Sequence, residues 1–75
     1  MARYSNRTMK RASCLLAHLI DMEADHPRVT PEIERIGALM GRVDEEMERH
    51  KAERESLLSE LRDACAKYPE ELMHP

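Results

Sequence analysis

The 75-residue sequence contains no tryptophan and no phenylalanine, only two tyrosines, two glycines and two cysteines. Each shortage excludes something. With two tyrosines as the only aromatic side chains to stack on bases, and with a formal net charge of -3, the chain lacks the usual equipment of a nucleic-acid binder. Two cysteines, Cys14 and Cys65, are too few for a disulfide-stapled scaffold. No run is long and apolar enough to cross a bilayer: the best candidate, "ASCLLAHLI", contains His18 and is followed by Asp21, Glu23 and Asp25, which also argues against a cleaved signal. The expected setting is reducing and cytoplasmic, with no membrane partner. No glycine-rich phosphate loop and no metal-ligand motif of recognised spacing is present.

What remains is a vocabulary of helix formers, in which Ala, Leu, Met, Glu, Arg and Lys dominate and β-branched residues are few. It predicts an all-α fold. A chain this short forms a single domain over residues 1–75, and it buries only about 60% of its unfolded surface, so its own core is marginal and help from a second chain is expected. The first helix is predicted over about 6–25, capped by Ser5 or Asn6 and stopped ahead of Pro27. Met9, Ala12, Leu15, Leu16, Leu19, Ile20 and Met22 share its apolar face. A turn at 26–30 follows, then a start signal of Thr30 as capping hydroxyl, Pro31 at the first helical position and Glu32 at the positive end of the helix dipole.

From residue 31 to 67 the apolar spacing stays helical, and Tyr68-Pro69 ends it, leaving a tail at 68–75. Ile33, Ile36, Met40, Val43, Met47, His50, Arg54, Leu57, Leu61, Ala64 and Tyr68 recur at three- and four-residue steps, flanked by Leu39, Leu58 and Cys65, a heptad-like stripe. Between Met47 and Leu57, however, "ERHKAERES" supplies no large apolar residue. The reading that follows is an antiparallel hairpin whose second helix outruns the first, leaving Leu57, Leu58, Leu61 and Cys65 exposed for association, with Arg49, His50 and Arg54 adding polar selectivity. Two hairpins would then pair as a homodimer, in a four-helix bundle or coiled coil. The alternative is a three-helix bundle broken near Gly41, with Asp44 capping the third helix and the same leucines buried internally.

Candidate chemistry is sparse. Cys14, His18 and Asp21 are the parts of a nucleophilic triad or a soft metal site, but one helix supplies all three, with no second element to form a pocket. Glu46 and His50 stand four apart, which suits a salt bridge better than a carboxylate-bridged metal centre. No catalytic residue, no metal ligand and no cofactor is therefore assigned. Arg3, Arg7, Lys10 and Arg11 place four positive charges ahead of the first acid, Asp21, a segment able to touch phosphate or an acidic protein surface. In size, acidity and helical character the chain resembles the small accessory proteins with which phages and mobile elements block host machinery, such as defence nuclease complexes and transcription regulators. The expectation is a small non-enzymatic module that binds and regulates a protein partner, with a DNA- or RNA-contacting regulator as the alternative and a metal-binding bundle as a more remote one.

Overall fold

A computed structural model describes residues 7–46 and 50–74. Among them the fold is all-α, with three helices: α1 (Arg7–Met22), α2 (Thr30–Glu45) and α3 (Lys51–Cys65). Two short 3-10 turns, Pro27–Val29 and Glu70–Met73, are the other elements among the described residues.

Helix α1 ends at Met22, three residues before the predicted stop, because the backbone closes on itself there: the N–H groups of Asp25 and His26 both donate to the Met22 carbonyl. His26 has left the helical region, at φ -135° and ψ 75°, as the ring of Pro27 favours for its predecessor. Pro31 sits in the first turn of α2, where its missing N–H costs nothing. Thr30 does not cap that helix. Its hydroxyl donates instead to Glu23 at 2.5 Å, tying the start of α2 back to the end of α1.

The unbroken helix expected over 31–67 is two helices. Such a rod would measure roughly 54 Å from Glu32 to Lys67 at 1.5 Å per residue, whereas the longest dimension of the molecule is 39 Å. α2 ends at Glu45 and α3 begins at Lys51, while Gly41 stays helical within α2; neither glycine has a positive φ. The balance of energies explains the position. Helix across "ERHKAERES" would be held only by pairs four residues apart, each contributing about 0.2–0.5 kcal/mol. Folding back at that point buries Leu57, Leu58 and Leu61, each worth about 1.5–3 kcal/mol. Lys67 Nζ lies 3.2 Å from the Glu32 carboxylate, which sets the end of α3 beside the start of α2, so the two run antiparallel.

A single core results. Met9, Ala12, Leu15 and Leu19 of α1 pack with Ile36, Leu39 and Val43 of α2 and with Leu57, Leu58, Leu61, Ala64 and Cys65 of α3. Met73 closes one end of it. The predicted tail is therefore structural over Glu70–Met73. Ile20, read as part of the apolar face of α1, is instead the exposed large hydrophobic residue, at 55%.

Candidate binding cleft

The start of α1, the end of α3 and the C-terminal turn meet around an open cleft of about 530 Å³. Helical spacing builds its walls. On α1, Arg7 and Arg11 are four residues apart, so both project from one face, with half-buried Thr8 beside them. Arg62, exposed in the last turn of α3, faces them from the opposite side. The floor is apolar or weakly polar: Cys65 and Met73 are buried, and Tyr68 is half-buried. Ala66 and Glu70 complete the lining.

Two of the three arginines carry no ion pair among the described residues. Arg7 and Arg62 are exposed, so their charge is open to a ligand. Arg11 is committed: its guanidinium donates to the Glu70 carboxylate and, at 3.5 Å, to the sulfur of Met73. The hydrogen bond from Arg11 holds Glu70 below the ordinary carboxylate range, and the same bond raises Arg11 further. Burial pushes the Cys65 thiol up, only partly offset by the nearby charge of Arg11. It is thus kept in the protonated form, which is a poor nucleophile. Tyr68 is likewise raised, first by burial and then by the negative charge of Glu32, and remains a neutral phenol.

The residues singled out from sequence divide into three groups. Arg7 and Arg11 line the cleft, with Lys10 exposed on the same helix; Arg3 lies outside the described residues. Leu57, Leu58, Leu61 and Cys65 are brought together as expected but inside the fold, at 5%, 3%, 0% and 5% exposure. This corrects the expected open patch, because a helix returning over the other two buries it without a second chain. His50 and Arg54 belong to the α2–α3 corner rather than to that patch, His50 paired with Glu46 and Arg54 half-buried on α3; Arg49 lies outside the described residues. Cys14, His18 and Asp21 remain on α1, Cys14 and His18 half-buried and Asp21 exposed.

Sequence reasoning missed Arg62, Tyr68, Glu70 and Met73 as a wall of one site. The available signal was Leu72 and Met73, an apolar pair just past Pro69 that a solvated tail has no use for. Comparison with known proteins finds no matching family model, no matching curated protein and no matching solved structure, so the reading of this cleft rests on its own geometry.

Proposed function

We propose that this chain is a small non-enzymatic binding module that engages an acidic, partly apolar segment of a partner protein through the cleft between α1, α3 and the C-terminal turn, and regulates that partner by occupying it. One observation carries the reading: exposed arginines from two different helices, Arg7 and Arg62, with no ion pair among the described residues, stand over a floor containing Cys65, Tyr68 and Met73. A basic rim supplies charge complementarity and register, while the apolar floor supplies burial. A phosphodiester backbone would use the rim but gain nothing from the floor. The raised thiol pKa of Cys65 supports a binding rather than a catalytic role.

The test is fluorescence anisotropy with a labelled amphipathic peptide carrying Glu and Leu, against the same peptide with Gln for Glu, and against a short DNA duplex. The acidic peptide should bind and the amide version bind more weakly. Arg7→Glu combined with Arg62→Glu, both at exposed positions, should remove binding and leave the circular dichroism spectrum unchanged. Tighter binding of the duplex, with a steep fall in salt, would replace this reading by the nucleic-acid one. Binding of the acidic peptide that ignores the double charge reversal would sink it.

A further inference from the structure

At the opposite end of α3 from the cleft, Glu46, His50 and Glu53 each present one ligand atom, and the three atoms lie within 4.8 Å of one another. His50 Nδ1 is 2.5 Å from Glu46 Oε1. Glu53 arrives from the first turn of α3, so the side chains on both sides of the helix break converge on one point. Both carboxylates act on the imidazole: the hydrogen bond to Glu46, then the charges of Glu46 and Glu53, raise the His50 pKa, so a proton and a divalent cation compete for the same three ligand atoms.

We propose that Glu46, His50 and Glu53 form a binding site for a divalent transition-metal ion of the zinc class, which clips the α2–α3 corner together. The donor set decides the class. One imidazole nitrogen and two carboxylate oxygens suit Zn²⁺, Co²⁺ or Ni²⁺, whereas Ca²⁺ seeks six or more oxygens and Cu(I) seeks thiolates. Bonds of about 2.1 Å to a tetrahedral ion place neighbouring ligand atoms about 3.4 Å apart. Glu46 and His50 therefore open by about 1 Å, and no other pair closes by more than about 1.4 Å. His50 and Glu53 are exposed, so side-chain torsions accommodate those shifts and water fills the remaining position. The corner also gains from it: α3 starts with no side-chain capping hydrogen bond, and a shared ion fixes the turn in its place.

The experiment is a zinc titration of the full chain, under a phosphine reductant that keeps both thiols reduced, followed through the imidazole proton resonances of the four histidines. His50 should shift and saturate at one equivalent while His18, His26 and His74 stay in place. Glu53→Gln, at an exposed position, should weaken binding at least about tenfold, since even outer-shell changes cost that much at metal sites, and His50→Ala should abolish it. Cobalt loaded in place of zinc should show no thiolate charge-transfer band. Absence of saturable binding, a shift at His18 with a thiolate band from Cys14, or affinity indifferent to Glu53→Gln would each overturn the proposal.

Discussion

Leu61 has no exposed surface and sits among the largest fully buried side chains, with Leu15, Leu19 and Ile36. Trimming it to alanine is expected to cost about 2–5 kcal/mol, a large share of the roughly 5–15 kcal/mol that holds an ordinary domain. Leu61→Asp should therefore abolish the helical circular dichroism signal altogether; a folded Leu61→Asp chain would return this leucine to the surface, where the periodicity of the sequence alone had left it. The Arg11–Glu70 pair makes a second prediction at the same scale. The native pKa of Glu70 is depressed by its bond to Arg11, so its contribution is present above the ordinary carboxylate pKa and is lost as pH falls through the lower native value. Melting temperatures of wild type and Glu70→Gln should differ modestly at neutral pH and converge in acid, and high salt should shrink the gap, because Glu70 is exposed. The sequence showed that Arg7 and Arg11 share a helix face and that Leu57 to Cys65 belong together. It did not show what covers them, since an apolar stripe reads the same whether its partner is the same chain or another.

Helix identity was legible because the apolar spacing near 3.6 is local, and the end of α1 and the start of α2 were legible to within a few residues because proline acts on its immediate neighbours. The division of the second apolar stripe into α2, ending at Glu45, and α3, beginning at Lys51, was not, because no breaker residue marks it. It follows from a competition between weak pairs within "ERHKAERES" and distant burial of leucines, and only the tertiary structure prices the second term. Gly41 was the obvious local suspect and is innocent. A Cβ built at Gly37 or Gly41 meets nothing within 4 Å, and both lie inside α2 with ordinary helical backbone. Gly41→Ala should thus stabilise the protein by up to about 1 kcal/mol, raising the melting temperature by roughly 4–8 °C for a chain of this size. A drop instead would mean that position 41 bends or that a neighbour packs against its backbone.

For the molecule as a whole, the question is whether 75 residues close their own core. The leucines that argued for a second copy are satisfied internally, and Met73 seals the end that a bare three-helix bundle would leave open. The radius of gyration of 12.4 Å is only slightly above the roughly 11 Å expected of a compact chain of this length. Ending the chain at Tyr68 removes Met73 from the core and Glu70 from Arg11, so this truncation should lower the melting temperature and also free Arg11, changing the charge of the cleft. Light scattering after size exclusion, over an about hundredfold dilution, should accordingly give 8.7 kDa throughout. A dimer persisting at the lowest concentration would have to be built from surfaces outside the leucine core. Ile20 and the arginine cleft are then the places to look, and Ile20→Lys and Arg62→Glu would separate them: whichever variant returns the mass to that of one chain carries the contact.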